Sequence, residues 1–180
     1  DGDTSTNDTC VILANGANGL PGIQPETPEA ALFAEALTTL CTWLSREIVR
    51  DGEGATTVVR LDVRGARDAA QAETVARAVC NSPLVKCAIH GRDPNWGRIL
   101  CAAGYSGAGV TPTSVDLSIQ EVPVLVRGTP VDFDAPALSS KMSGEEVVLT
   151  LDLGMGSETT TFWTCDFSKE YVTINADYHT

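Results

Sequence analysis

A long helical pattern followed at once by a strand pattern constrains the fold of this chain more than any other feature. Thr27 is a suitable N-cap, Pro28 suits the first helical position, and Gly52 ends the pattern. The apolar residues at helical spacing are Phe33, Leu37, Leu40, Cys41, Leu44 and Ile48. Residues 55–63 are then rich in Val and Leu, which favours a strand. A helix and a strand in direct succession favour a layered fold.

The rest of the chain mixes helix and strand patterns in the same way. It predicts a short buried strand at Cys10–Ala14, a second helix at Asp68–Val79, another strand at Leu84–His90 and a third helix that begins near residues 99–103. Later strands are predicted around Val115–Ile119, Val122–Val126, Val147–Leu153 and Thr160–Thr164. We therefore expect an α/β fold with α+β layers, built as a single domain over residues 1–180.

The balance of charge excludes some classes of partner. The formal net charge is −12, with only 12 Lys and Arg residues. Such a chain lacks a basic face for nucleic acid, and an anionic membrane surface repels it. No apolar run reaches transmembrane length, and no segment has the features of a signal peptide. We expect neither nucleic acid nor a membrane among its partners.

The six cysteines form no CxxC pair, and all but Cys10 lie within apolar patterns. This distribution favours buried thiols in a reducing compartment over a disulfide framework. The chain has only two histidines, and neither has a further ligand at zinc-finger spacing. No metal site is expected.

The polar opening DGDTSTNDT resembles several reactive motifs without completing one. A calcium loop of the EF-hand type needs Gly at its sixth position and Glu at its twelfth, where this chain has Thr6 and Ile12. An aspartyl nucleophile follows a buried strand, and the printed sequence contains no strand pattern before Asp1, so this motif is incomplete. Further along, Ala108 stands where a nucleophile elbow around Ser106 needs its second Gly. The chain also begins without Met, and we expect it to be a piece of a longer product.

The segment RDGEGATT, residues 50–57, places Glu53 between Gly52 and Gly54, where the long helix ends and a strand begins. Flanking glycines permit unusual backbone dihedrals and leave the carboxylate unshielded. A carboxylate in this position suits the ammonium group of a ligand. A simple turn with a solvated Glu explains the pattern equally well.

Two more segments leave alternatives open. In HGRDPNWGR, residues 90–98, the two arginines suit anion binding near a helix N-terminus, but a structural turn capped by Asp93 or Asn95 explains the segment slightly better. The end of the chain contains the apolar residues Tyr171, Val172, Ile174 and Tyr178. A terminus of this kind is expected to dock, and docking would bring its polar groups into a cleft.

Four separated segments together resemble one known family. They are DGDTSTND, RDGEGATT, HGRDPNWGRI followed by AAGYSG, and YVTINADY. In this order, and across residues 1–180, they are similar to the bifunctional ornithine acetyltransferase/N-acetylglutamate synthase family of arginine biosynthesis. The resemblance implies layered helices and a mixed sheet of the self-cleaving ornithine acetyltransferase, or N-terminal-nucleophile aminopeptidase-like, type.

The resemblance also implies how the enzyme is assembled. The family's precursor cuts itself before a threonine, and the resulting α and β chains stay together as an α2β2 heterotetramer. The new N-terminal Thr takes the acetyl group from N2-acetylornithine and passes it to glutamate. Whether acetyl-CoA also serves as a donor stays open, and no other cofactor is implied. The compartment would be intracellular: the cytoplasm or, in a eukaryote, the mitochondrial matrix or plastid stroma.

Within this resemblance the chain corresponds to most of a β chain without its N-terminal segment, so the nucleophilic Thr is expected upstream of Asp1. No catalytic residue is then expected inside the chain. Glu53, Asn175 and Thr180 match substrate-binding positions of the family. We predict that they converge on one pocket for an amino acid. His90 and the nearby arginines are expected to support the structure.

Two alternatives differ in class. In the first, the chain is a catalytically silent module that binds an amino acid in the same cleft, and no N-terminal Thr exists in the complete gene. In the second, it belongs to a self-processing aminopeptidase of the same fold. The match of the GEG and NADY segments to the acetyltransferase argues against the peptidase.

Overall fold

The computed structural model describes residues 1–177. The chain forms two compact units, Asp1–Ser45 and a second unit that begins at Arg46. The single domain expected from the sequence stays a prediction. None of the helices within residues 1–177 is long and apolar enough to cross a membrane.

The first unit consists of an irregular segment and most of helix α1 (Pro28–Arg50). Thr27 caps this helix, as predicted, because its Oγ1 accepts a hydrogen bond of 3.2 Å from the amide of Ala30. The strand predicted at Cys10–Ala14 is wrong. The segment has no regular secondary structure and no ladder partner within residues 1–177, and Leu13 is 90% exposed. A short apolar run forms a strand only where another strand pairs with it.

A six-stranded mixed sheet is the centre of the second unit, in the order β4-β3-β2-β5-β1-β6. Strands β1 and β5 pair in parallel, and the other neighbours are antiparallel. The strands are β1 (Val58–Ala66), β2 (Asp116–Ile119), β3 (Val122–Val126), β4 (Thr129–Pro130), β5 (Glu146–Asp152) and β6 (Glu158–Cys165). This arrangement confirms the layered α/β class.

The remaining helices within the described residues are α2 (Ala69–Cys80), α3 (Pro83–His90), α4 (Trp96–Gly104), α5 (Ala135–Lys141) and α6 (Lys169–Asp177), with a short 3-10 turn at Pro112–Ser114. Helix α2 packs on β1 and β6. Its buried residues Val75 and Val79 belong to the same core as Leu61 and Val63 of β1. Each buried side chain of this kind contributes about 1.5–3 kcal/mol to stability. The core therefore fixes the end of α3 and the ends of β1 and β6.

The strand predicted at Leu84–His90 is also wrong, because this segment is helix α3. Ser82 accepts a hydrogen bond from the amide of Val85 as its N-cap, and Pro83 occupies the first turn, where no amide donor is needed. Val85, Ala88 and Ile89 are buried on one face at helical spacing. A short apolar run fits a helix or a strand, and here the capping residues decide.

The cysteines only partly follow the sequence-based prediction. All six thiols are free, and Cys80 is buried. Burial raises the pKa of Cys80 to about 12, although the nearby Lys86 ammonium opposes the shift. Cys165 is half-buried, whereas Cys10, Cys41, Cys87 and Cys101 are exposed. The prediction of buried thiols is wrong for Cys41, Cys87 and Cys101, since apolar neighbours in sequence do not determine which side of a helix is covered.

Candidate functional site

Residues 51–57 connect α1 to β1 and form the Glu53 turn. Gly54 determines its shape. Its φ is +66°, a left-handed conformation that suits Gly. A Cβ added to Gly54 would lie 2.5 Å from the backbone nitrogen of Tyr171 and 3.0 Å from Oγ of Ser168. The absence of a side chain therefore lets the first turn of α6 approach the backbone beside Glu53.

Helix α6 brings Asn175 to Glu53. Nδ2 of Asn175 donates a hydrogen bond of 2.7 Å to Oε2 of Glu53 and another of 2.9 Å to the carbonyl oxygen of Tyr171. The two side chains are 122 positions apart in the chain. The predicted convergence of the GEG turn with the end of the chain is thus present for this pair. Thr180 lies outside the described residues, so its place in the pocket stays a prediction.

The Glu53–Asn175 pair leaves two oxygen acceptors available. Within residues 1–177, Oε1 of Glu53 and Oδ1 of Asn175 accept no hydrogen bond, and no cationic group lies within 4.0 Å of the Glu53 carboxylate. Both side chains are exposed. A primary ammonium has three donors and a positive charge, and each of these oxygens is an acceptor for it. The pair therefore suits a cationic nitrogen.

Asp166 lies directly after β6 and contacts the end of the Glu53 turn that leads into β1. Its buried carboxylate accepts hydrogen bonds from the amide of Thr56 (2.8 Å), from Oγ1 of Thr56 (2.6 Å) and from the amide of Thr57 (2.9 Å). Nδ1 of His90 lies 2.7 Å from its Oδ2, and since an ionised carboxylate only accepts, Nδ1 carries the proton. Burial raises the pKa of Asp166, but the hydrogen bonds from Thr56, His90 and Thr57 outweigh it, so the pKa is lowered.

Ser168 links the same turn to α6. Its Oγ donates to the carbonyl oxygen of Gly54 at 2.6 Å and accepts from the amide of Glu170 at 3.1 Å. It therefore occupies the N-cap of α6 while it contacts the residue beside Glu53. The rings of Phe167 and Tyr171 also stack, with centroids 4.5 Å apart, and this contact joins the residue before Ser168 to the first turn of α6.

Lys86 of α3 supports this region from within the core. Its buried ammonium donates to Oγ1 of Thr164 at 2.7 Å and to the carbonyl oxygen of Cys165 at 2.6 Å, and it lies 4.9 Å from the centroid of the Phe167 ring. These contacts satisfy a buried cation with neutral oxygens and a ring face. The end of β6 is fixed as a result.

Residues that precede and follow Glu53 in the sequence line a cavity of about 340 Å³. Its lining is Arg50, Ala55, Thr56, Thr57, Val58 and Glu145. Glu53 and Asn175 do not contribute to this lining, so the cavity and the pair are separate features. The available acceptor oxygens, rather than the volume of this cavity, define the candidate site.

The other segments that the sequence singled out have structural contacts. Asn95 caps α4 by accepting from the amide of Arg98 at 3.1 Å, and Arg98 donates to the carbonyl oxygen of Leu84 at 3.0 Å. These contacts support the structural interpretation of HGRDPNWGR. Ser106 donates to the carbonyl oxygen of Ala103 at the end of α4. In the opening segment, the amide of Asp3 donates to Oδ1 of Asp1 in a local turn.

Sequence reasoning did not single out Asp166, Ser168 or Lys86. Asp166 stands two residues beyond the strand predicted at Thr160–Thr164, and polar residues that follow a strand are a weak signal for a site. Ser168 precedes a helix that the sequence analysis did not predict. Lys86 lies within an apolar run, where its only signal was a charge among buried neighbours.

Comparison with known proteins places the chain in a family. The model of the ArgJ family matches residues 1–180. A relative from Schizosaccharomyces japonicus, named arginine biosynthesis bifunctional protein ArgJ, mitochondrial, is 49% identical and is matched over 99% of this chain and 42% of its own length. Its namesake from Symbiobacterium thermophilum is 47% identical, over 100% of this chain and 45% of its own length.

A solved structure agrees with the sequence comparison. The crystal structure of arginine biosynthesis bifunctional protein argJ from Bacillus halodurans is similar with a TM-score of 0.94 and 40% identity, over 99% of this chain and 84% of that chain. The chain spans less than half the length of the curated relatives named above. On the match of the family model and on these relatives, the chain belongs to the ArgJ family.

Proposed function

We propose that this chain is the substrate-binding part of an acyltransferase that moves an acetyl group from N2-acetylornithine to glutamate. The observation that carries the proposal is the Glu53–Asn175 pair, joined at 2.7 Å, in which one oxygen of each side chain accepts no hydrogen bond from residues 1–177. N2-acetylornithine presents a side-chain ammonium, whereas the α-nitrogen of glutamate is the nucleophile and is uncharged when it attacks. Membership of the ArgJ family and the word bifunctional in its relatives' names support the same activity.

The proposed reaction takes place in two halves on a threonine upstream of Asp1. The Thr hydroxyl attacks the acetyl carbonyl carbon, a C–O bond forms, and the C–N bond to ornithine breaks. The free α-amine of the Thr takes the hydroxyl proton and returns it to the leaving nitrogen. The deprotonated α-amine of glutamate then attacks the ester carbon, a C–N bond forms, the C–O bond to Thr breaks, and the proton that the nitrogen loses passes through the Thr α-amine to the Thr oxygen. An oxyanion hole supplied by the α chain stabilises both tetrahedral intermediates.

The residues described here would bind and orient the substrates in this scheme. Glu53 and Asn175 hold the side-chain ammonium of N2-acetylornithine, and Thr180 contributes a hydroxyl. Holding the substrate in a fixed pose converts part of its binding energy into rate, because the acetyl carbonyl then lies near the nucleophile. In this division of labour, the 180-residue chain binds the substrates, and the segment upstream of Asp1 supplies the nucleophile.

The partners and compartment belong to the same proposal. The partner is an α chain cut from the same precursor, in an α2β2 heterotetramer. Acetyl-CoA is a second acetyl donor if the enzyme is bifunctional, as its relatives are named. Fungal relatives have the word mitochondrial in their names, which supports the mitochondrion as the compartment in a eukaryote.

Mass spectrometry of the complete protein tests the reaction. After exposure to N2-acetylornithine alone, we expect one acetyl group on a threonine upstream of Asp1, and glutamate should remove it. An acetyl adduct on a residue within the 180-residue chain would contradict the proposal. The absence of any adduct in a protein that binds ornithine would instead support a silent binding module.

A further inference from the structure

Three residues that follow β6 hold three successive parts of the Glu53 turn. Asn175 contacts Glu53, Ser168 contacts Gly54, and Asp166 contacts Thr56 and Thr57. Each contact joins segments that are more than a hundred positions apart in the chain. The turn and the end of the chain are therefore connected at several points and not only through the site pair.

Ser168 has a special place among these contacts. Its side chain joins the turn and the helix at once, since the same oxygen donates to Gly54 and accepts from Glu170. The residue is only 8% exposed, so water does not readily replace either bond. The proximity of Gly54 to Tyr171 leaves no room for α6 to shift toward the turn.

Helix geometry transmits this tether to Asn175. Asn175 follows Ser168 by seven positions, which is about two turns, so the two residues lie on one face of the helix. At 1.5 Å per residue, the distance between them along the axis is roughly 10 Å. Fixing the first turn of α6 on Gly54 therefore sets where the Asn175 amide lies relative to Glu53.

We propose that Ser168 is a positioning residue for substrate binding, which sets the spacing of the Glu53 and Asn175 acceptor oxygens by tethering the start of α6 to Gly54. The inference rests on the proposed function for the identity of the substrate. Ser168 does not touch the substrate and supplies no proton. Its effect is on the geometry of the pair, and so on the affinity for the cationic nitrogen.

Steady-state kinetics of the complete processed protein test this role. Ser168→Ala removes both hydrogen bonds, and we expect the KM for N2-acetylornithine to rise roughly fivefold while kcat changes less than about twofold. Ser168→Thr keeps the hydroxyl and should restore the KM. The matched control is Ser82→Ala, which removes the hydroxyl from another buried N-cap, that of α3. We expect Ser82→Ala to lower stability without raising the KM.

Hydrogen exchange gives a readout that does not depend on activity. In Ser168→Ala, amides of residues 169–177 should exchange faster than in the wild type, and in Ser82→Ala they should not. An unchanged KM with unchanged exchange in α6 would overturn the inference, as would an equal rise in KM in the Ser82→Ala control. If the wild type transfers no acetyl group, the proposed function fails, and the exchange of α6 alone then decides whether Ser168 tethers the helix.

Discussion

At the scale of single residues, the candidate site depends on one carboxylate that lacks a cationic partner within the described residues. Glu53 accepts from Asn175, and its second oxygen has no donor in residues 1–177. A charged acceptor of this kind makes a stronger bond to an ammonium than a neutral amide does. We therefore expect the affinity for a cationic substrate to depend on the charge of Glu53 more than on the shape of its side chain.

Replacing Glu53 by Gln tests that expectation. Glu53→Gln keeps the shape and an oxygen that can accept from Asn175, but it removes the charge. We expect the KM of the complete enzyme for N2-acetylornithine to rise about tenfold, since a charge-assisted hydrogen bond contributes about 1.5–3 kcal/mol. Glu121→Gln, at an exposed turn between β2 and β3, is the matched control. An equal KM in both variants and the wild type would exclude Glu53 from substrate binding.

The pKa of Asp166 predicts a dependence of stability on pH. Its pKa is lowered in the folded protein, so its contribution is complete above the unfolded value of about 3.9 and is lost as the pH falls through the folded value. Asp166→Asn should therefore be less stable than the wild type at pH 7, and the difference should narrow below about pH 4. Urea unfolding across this range measures it. A constant difference between the two proteins would contradict the assignment.

Glu53 and Asn175 could be singled out because the short segments that contain them resemble motifs of a known family. Asp166 and Ser168 could not be predicted in this way, since their roles depend on partners 109 to 114 positions away. No spacing pattern within WTCDFSKE indicates those partners. Only the pairing of β6 with β1 brings them to the turn.

At the scale of elements, the long helix and the later strands were predicted well, and the short elements were not. Helix α3 was mistaken for a strand because its apolar run is only a few residues long, while α5, α6 and β4 were missed. Helix α6 has no buried residue, and its apolar residues Tyr171, Val172 and Ile174 extend over too few turns to reveal a helical period in sequence. It forms against the turn through polar contacts and the Phe167–Tyr171 stack.

Gly54 controls how closely α6 approaches the turn, and its replacement tests this contact. Gly54→Ala adds a Cβ that would lie 2.5 Å from Tyr171 N at a φ of +66°. Gly107→Ala is the matched control, because its φ of +79° carries a similar conformational cost with nothing within 4 Å. That cost alone is about 1–2 kcal/mol.

We expect Gly54→Ala to lower the free energy of unfolding by clearly more than Gly107→Ala, and urea unfolding of both variants provides the comparison. The excess measures the steric overlap with α6. Equal losses would mean that the helix moves away from the turn at no cost, and the close contact would then not fix the position of Asn175.

At the scale of the whole molecule, the class of fold followed from the succession of patterns, but the order of strands did not. In the parallel pair of β1 and β5, Val58 lies opposite Glu146, although most of the second unit's sequence separates these two residues. Local patterns contain no information on such pairings, because many registers bury the same apolar residues. The order of strands in the mixed sheet therefore depends on contacts between distant segments and not on local sequence patterns.

The first unit has an unusual amount of exposed apolar surface. Leu20, Ile23, Leu32 and Phe33 belong to the lining of an open cavity of about 670 Å³, and the side chain of Leu32 is 68% exposed. Patches of this kind mark surfaces that bind another protein or associate with themselves. We therefore expect the 180-residue chain by itself to bind a hydrophobic dye, to self-associate and to transfer no acetyl group.

Size-exclusion chromatography and dye fluorescence check this expectation. A Leu32→Ser/Phe33→Ser variant should bind less dye and elute closer to the monomer volume. A monodisperse preparation of the unaltered chain that transfers acetyl groups unaided would contradict both the division of labour and the role of this surface.

A crystal structure of the complete protein with bound ornithine tests the central claim most directly. The account predicts an ammonium nitrogen of the ligand within about 3.2 Å of both Oε1 of Glu53 and Oδ1 of Asn175. Ornithine bound elsewhere, with these two oxygens facing only water, would contradict it.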